Sequence, residues 1–573
     1  MIEGLKICNT AAMTPQVMSE GAADEMCRAC QETSASRVED VLAMIGPTNS
    51  PSGDYQLGYT INLPILSFFI KVEGVWTFDV EQIRFRLSAI GELDRPVVIY
   101  VSSNHFIDDA IELYGELSRD IRNLMWTRHG PMSGDTYFSA GVQAWTIADY
   151  EAPITRMRRE AFSILGAEIA CLVPEVRDRI RAVSILGEVH HHFPNFFDGM
   201  GYESAFDVTD YSPASVESFR TWIQEKFGDT ATLNAAIDGN FASFSDVFPP
   251  SKNITEETLT SIFDHIDASS HGILTLQGWA VEKDGADIEV SVYVDGQYYG
   301  KAGVDLSRTD VVDAKPELVR ANVGWRYGLD FTVLAPGLHV IDIVAHSGIH
   351  SRHIANRIVA VVDRNQSAIS TDVPAGISRA EADSDELSGH MDSPAHYRAL
   401  FYNPLSTYWL EFRNLQVVRY IEYFGKVLRD AGVDQDLLFC HQILPGLSGS
   451  WNADFMAVDT SLDANPAYHP GVTLYGGAAY GTAFLNYKAS KNWSEYGVSE
   501  MHPISHLEHA DYVEMIKTHR MSGARFISPY FISLTPDRMR GFSDHNKFLI
   551  EPENSEYNSS GYYAALADIM QNW

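Results

Sequence analysis

From about residue 55 onward, short apolar runs alternate with longer stretches whose apolar residues recur at helical spacing. The pattern predicts strands at 57–70, 96–103, 141–146 and 182–188, with helices at 79–91, 108–126, 153–171 and 174–181 between them. Near residue 265 the period changes. Ile288, Val290, Val292 and Val294 alternate with polar residues and run into the hairpin signal Asp295-Gly296, and 337–344 alternates again. Residues 265–365 therefore read as an all-β, immunoglobulin-like sandwich. The strand–helix pattern then resumes. A long helix is predicted over 409–431 and another over 511–521, with strands at 437–443, 471–475, 496–500 and 524–530.

Eight strand candidates joined by crossover helices predict an α/β fold: a (β/α)8 TIM barrel interrupted by the sandwich. A doubly wound sheet is the competing arrangement. It is disfavoured because no glycine-rich phosphate loop follows the first strand. The expected organisation is an N-terminal helical segment at 1–50, strands one to four of the barrel at 51–260, the inserted sandwich at 265–365, a polar linker at 366–395 and strands five to eight at 396–573.

Charge narrows the partners. The chain has 573 residues, with 42 Lys and Arg against 76 Asp and Glu, for a net charge of −34. Nucleic acid and anionic membrane surfaces would repel such a chain. The apolar run 61–70 is too short to span a bilayer, and the first residues lack the basic and apolar regions of a secretory signal. The expectation is a soluble, cytoplasmic protein. Five cysteines are too few and too odd in number for a disulfide framework, and Cys27-Arg-Ala-Cys30 lacks the second pair a zinc site needs. No cofactor and no metal is expected.

In a barrel, chemistry belongs at the C-terminal ends of the strands. Glu188 ends the fourth strand and Glu500 the seventh. Two carboxylates across a cleft suit glycoside hydrolysis, one donating a proton and the other attacking the anomeric carbon or activating water. The alternative is that each is an ion-paired strand-end residue. Other polar and aromatic side chains at predicted strand ends are candidate sugar contacts: Asn104 and His105 on the second, Trp145 on the third, His190 beyond Glu188, and His441 and Gln442 on the fifth. Trp451 follows in the next loop, Tyr475 ends the sixth strand, and His502 and Tyr530 lie near the last two. The run His190-His191-His192 cannot direct all three rings at one metal from a strand, because side chains alternate.

The segment 211–228, with Phe219-Arg220-Thr221-Trp222 in it, is followed by Leu233-Asn234 and by 241–250. It resembles the region after the acid/base strand in family 42 β-galactosidases. Trp409-Leu410-Glu411-Phe412-Arg413 and Phe439-Cys440-His441-Gln442 resemble later segments of the same family. The resemblance implies a retaining glycosidase acting on a β-linked oligo- or polysaccharide, with Glu188 as acid/base and Glu500 as nucleophile. It also implies that Tyr475 hydrogen-bonds the nucleophile, and it leaves room for a homo-oligomer. One departure stands out: the family carries Asn before its acid/base, where this chain has Gly187. That departure favours a non-catalytic, glycan-binding barrel as the alternative function. A transglycosylase using the same two glutamates is the other. The Gly278-Trp279-Ala280 sandwich resembles β-domains attached to bacterial carbohydrate-processing proteins, where it would serve as an accessory glycan binder, spacer or lid.

Overall fold

The computed structural model describes residues 2–3, 34–102, 106–107, 110–137, 140–197, 199–315, 318, 321–363, 372–377, 383–533 and 544–573. Its central feature is a closed ring of parallel strands: β1 (Ile2–Glu3), β2 (Tyr59–Pro64), β3 (Val97–Ser102), β4 (Ile180–Glu188), β5 (Leu438–Ile443), β6 (Gly471–Tyr475), β7 (Tyr496–His502) and β8 (Ala524–Pro529, continuing after two residues as Ile532–Ser533). The register runs Ile61↔Ile99↔Val183↔Leu438 on one side and Val472↔Val498↔Ile527 on the other. Ile2 closes the ring by pairing with both Ile61 and Ile532. A helix follows each strand, among them Ser34–Ile45 after β1, Val80–Glu92 after β2, Pro153–Ala170 after β3 and Pro404–Asp430 before β5. The strands are nearly continuous apolar runs because both faces are covered, one by helices and the other by the barrel interior.

One predicted strand is not in the ring. Ala140–Val142 forms a hairpin with Asp135–Tyr137 at the rim, and β3 pairs directly with β4. A short apolar run cannot by periodicity alone be told from a packed rim segment. The two-residue β1 restores the count of eight, so Glu188 still ends the fourth strand and Glu500 still lies on the seventh.

The inserted unit consists of two sheets around a common core. Gly303–Leu306, Gly324–Asp330, Ile273–Glu282 and Leu387–Ser393 form one; Gln297–Lys301, Glu289–Val294, Gly337–Ser347, His350–Val362 and Arg398–Phe401 form the other. Leu276, Val292, Trp325, Ile343 and Met391 are buried between them. The stretch 366–395, expected as a linker, thus contributes a strand; the alternation of Leu387, Gly389 and Met391 is the local signal for it. Pro213–Phe227, capped by Ser212 and ended by Gly228 at φ 76°, packs Phe219 and Trp222 against Trp409 and Phe412. The segment resembling family 42 is therefore a supporting layer, with Trp222 in a core. Among the described residues no helix is long and apolar enough to cross a membrane. Most of the expected N-terminal helical segment, residues 4–33 with Cys8, Cys27 and Cys30, lies outside the described residues, as do Asn104 and His105.

Candidate active site

The strand carrying Glu188 does not reach it as a regular strand. Ser184 is opposite Phe439 but Glu188 is opposite His441, so β4 holds two extra residues there. Leu186 and Gly187 absorb them with left-handed backbone, at φ 63° and 67°. Such a bulge re-aims the side chain after it. β7 is also irregular, with Val472 opposite Val498 but Thr473 opposite Glu500. The two bulges bring the glutamates together at the C-terminal mouth of the barrel. One oxygen of each and a ring nitrogen of His441 all lie within 4.8 Å of one another.

The surroundings of the two acids differ. Glu188 is set deep in the site, and burial, with the nearby Glu500 charge, pushes its pKa up to about 8, against the lowering effect of one hydrogen bond from Thr473. The Thr473 hydroxyl donates to Glu188 Oε1 at 3.2 Å and, having one proton, accepts from His441 Nε2 at 2.9 Å. His441 is neutral, since burial lowers its pKa to about 3. Glu500 Oε2 accepts the Tyr475 hydroxyl at 2.8 Å, and that phenol is held protonated far above its usual range by burial and by Glu500. One carboxyl is thus favoured in its acid form, while the other receives a hydrogen bond suited to a carboxylate.

A cavity of about 430 Å³ opens over the pair, within the range of small-molecule sites. Of the expected sugar contacts, Trp145, His190, Trp451, Tyr475 and Tyr530 line it together with both glutamates. His192 joins His190 there, whereas His191, in the irregular segment after β4, turns away to bond the Arg413 carbonyl. Burial lowers the His190 pKa to about 4. Three other candidates, His441, Gln442 and His502, are not among the lining residues. His441 lies beneath the glutamates and donates to Thr473, which in turn donates to Glu188. Gln442 is fully buried and donates to the Val189 carbonyl, tying β5 to the exit of β4. His502 has both ring nitrogens engaged, one by the Ile504 amide and one by the Ser559 hydroxyl, which holds it behind the site.

Several lining residues escaped the strand-end search. Tyr100 packs at a tilt of 50° against His441, with ring centroids 4.7 Å apart, and covers Gly187. Tyr137 comes from the rim hairpin, and its hydroxyl is pushed well above the phenol range by burial and by Glu188 and Glu500. Thr473 shares a strand face with Tyr475 at a spacing of two, a signal present in the sequence. Ser307, Thr309 and Asp310 come from the inserted unit, and no barrel-based rule could have reached them.

Glu188, His441 and Glu500 are also the group, among the described residues, that could share a metal ion. His441 would have to release Thr473 to offer its Nε2.

No protein-family model matches the chain, and no curated protein does. Among solved structures, the chain is similar to a β-galactosidase from the psychrophilic Marinomonas ef1, with a TM-score of 0.45 and 11% identity over 89% of this chain and 55% of that one. It is also similar to a β-galactosidase from the Antarctic haloarchaeon Halorubrum lacusprofundi, with a TM-score of 0.42 and 10% identity over 89% and 53%. The catalytic domain of a β-amylase from Paenibacillus polymyxa gives a TM-score of 0.45 and 9% identity over 94% and 96%. The chain thus spans about half the length of the two β-galactosidases. Likeness at this level assigns neither substrate nor mechanism.

Proposed function

We propose that this protein is a retaining glycoside hydrolase, with Glu188 as general acid/base and Glu500 as nucleophile. The observation that carries the reading is the pair itself: two carboxyl groups with oxygens within 4.8 Å at the mouth of a parallel barrel. Retaining enzymes hold their carboxyls about 5–5.5 Å apart, whereas inverting enzymes leave about 6.5–9.5 Å for a water. Glu188, protonated up to about pH 8, delivers its proton to the leaving oxygen. Glu500, oriented by Tyr475, attacks the anomeric carbon. Glu188 then takes a proton from the water that releases the sugar. Trp145, Trp451 and Tyr530 put aromatic side chains on the cavity wall, the kind of surface that the apolar side of a sugar packs against. The motif resemblance to family 42 makes β-linked glycans the class to try first.

Gly187, which on sequence favoured a non-catalytic barrel, has a packing cause in Tyr100 and so does not count against catalysis. The test is product release, read by mass spectrometry, from a panel of β-linked oligosaccharides and aryl glycosides. Cleavage by wild type and not by Glu500→Gln, with a 2-deoxy-2-fluoro glycoside labelling Glu500 covalently, is the expected result. Equal cleavage by both proteins, or labelling elsewhere, would overturn the assignment.

A further inference from the structure

The inserted unit is built into the wall of the site. The Ser307 amide donates to the Leu447 carbonyl at 2.9 Å, and the Gly449 amide returns a bond to the Ser307 carbonyl at 2.8 Å. The Gly477 amide donates to the Ser307 hydroxyl at 3.1 Å. Three glycines in the barrel loops make the contact this close. A Cβ on Gly449 would meet Arg308 Cδ at 2.9 Å, one on Gly476 would meet Thr309 Cγ2 at 2.8 Å, and one on Gly477 would meet Asn322 Cα at 2.9 Å. Arg326, from the adjoining strand, donates to the carbonyls of Gly446, Ser448 and Trp451 at 3.1, 2.5 and 2.6 Å. It thereby fastens the loop that carries Trp451 into the cavity. Docking of this kind fixes the inserted residues relative to the glutamates.

Among the described residues, Asp310 is the third carboxylate lining the cavity, after Glu188 and Glu500. Its two oxygens are gripped by Arg308, Nε to Oδ1 at 2.9 Å and Nη2 to Oδ2 at 2.8 Å. Arg308 is held in turn by Asp392 at 2.5 Å. The Arg308 side chain is 5% exposed and the Asp310 side chain 56% exposed, so the clamp is buried and the carboxylate is open. Each Asp310 oxygen keeps a further lone pair. Arg308 is shared with Asp392, so it fixes the orientation of the Asp310 carboxylate without cancelling its charge, and the group is placed to accept hydroxyl protons.

We propose that Asp310 is a substrate-binding residue contributed by the inserted unit. Clamped by Arg308, it accepts hydrogen bonds from a pair of hydroxyls on a neutral sugar seated against Glu188 and Glu500, and so helps set which sugar the barrel takes. The proposal rests on the glycosidase reading above.

The test uses p-nitrophenyl β-D-glycosides of neutral hexoses and pentoses and takes forward the one wild type cleaves fastest. Asp310→Ala should raise KM roughly ten- to hundredfold, the loss expected for hydrogen bonds to a charged group, with a smaller change in kcat. Asp310→Asn should alter the ranking of epimeric glycosides. Tyr298→Ala, on the exposed face of the same unit, should behave as wild type. Monodeoxy versions of the chosen glycoside supply the decisive comparison. Removing the hydroxyl that Asp310 holds should penalise wild type but not Asp310→Ala. Should Asp310→Ala not fold, Asp310→Asn carries the same cycle. An unchanged KM with additive deoxy penalties overturns the proposal alone. Failure of wild type to cleave any glycoside overturns the reading beneath it and the proposal together.

Discussion

A side chain at Gly187 would run into Tyr100: a Cβ there would lie 2.8 Å from the phenolic oxygen and 3.0 Å from the ring edge. Gly187 is also at φ 67°, where L side chains are strained. Gly187→Asn, which restores the residue of the resembled family, should therefore harm this protein. Stability should fall by about 1–3 kcal/mol, and kcat should fall as Glu188 is displaced. Thermal unfolding and turnover, measured together, check this. A variant as stable and active as wild type would show that neither the contact nor the backbone constrains the position.

On the proposed mechanism the pH profile of kcat/KM should have its alkaline limb near pH 8, where Glu188 would lose the proton that the reading assigns it to donate. Glu188→Ala should remove that limb and lower turnover by several orders of magnitude on substrates with poor leaving groups. It should do less harm where the leaving group needs no proton, and added azide should restore rate. A limb that stays near pH 8 in the variant would assign it to another group.

Burial makes the same residue a liability for the fold. Its pKa is raised from the ordinary 4.5 to about 8. Relative to an unfolded chain, its contribution to stability is therefore present in full below about pH 4.5 and is lost as pH rises through about 8. Glu188→Gln, neutral at every pH, should raise the unfolding midpoint by about 1–3 °C above pH 8, with a smaller gain at pH 5. Calorimetry at the two pH values tests the sign; a variant less stable at high pH would contradict it.

Tyr475→Phe removes the hydroxyl that bonds Glu500 Oε2 at 2.8 Å. A hydrogen bond to a charged group contributes about 1.5–3 kcal/mol. The expected result is a fall in kcat of roughly ten- to hundredfold, with KM changed much less. Steady-state kinetics on one aryl glycoside suffice. A change confined to KM would make Tyr475 a sugar contact instead.

Exhaustive chelation should leave turnover unchanged, because His441 Nε2 is committed to Thr473 and the two glutamates act without a shared ion in the mechanism above. Loss of activity on chelation, restored by one divalent ion, would show that Glu188, His441 and Glu500 act as a metal site.

Much of the framework is legible locally. Strands and helices leave their periods in the sequence, and the acids Glu188 and Glu500 fall at or near the ends of two apolar runs. The helix at 213–227 announces itself by Ser212, Pro213 and Gly228. Other features leave weaker traces or none. Ile2–Glu3 is too short to show a period, and 141–146 has a strand's composition without a place in the ring. His502 and Gln442 sit at strand ends like true site residues, yet their polar atoms are taken up by Ser559, Ile504 and Val189. Such partners are distant in sequence, so local pattern cannot reveal them.

Local pattern was enough to specify the alternation of elements, the change to a two-residue period in the inserted unit, and an acid at or near the end of two apolar strands; the strand numbers four and seven come out right because the false strand at 141–146 stands in for the missed Ile2–Glu3. The local pattern could do so because period and capping depend on neighbours a few residues away. That the two acids meet depends on the assembled barrel, through the bulges at Leu186-Gly187 and opposite Thr473. The tertiary structure alone fixed which histidines face the cavity, and it alone brought Asp310 to the same wall. Those outcomes depend on ring closure and on contacts between segments far apart in the chain, which periodicity does not encode.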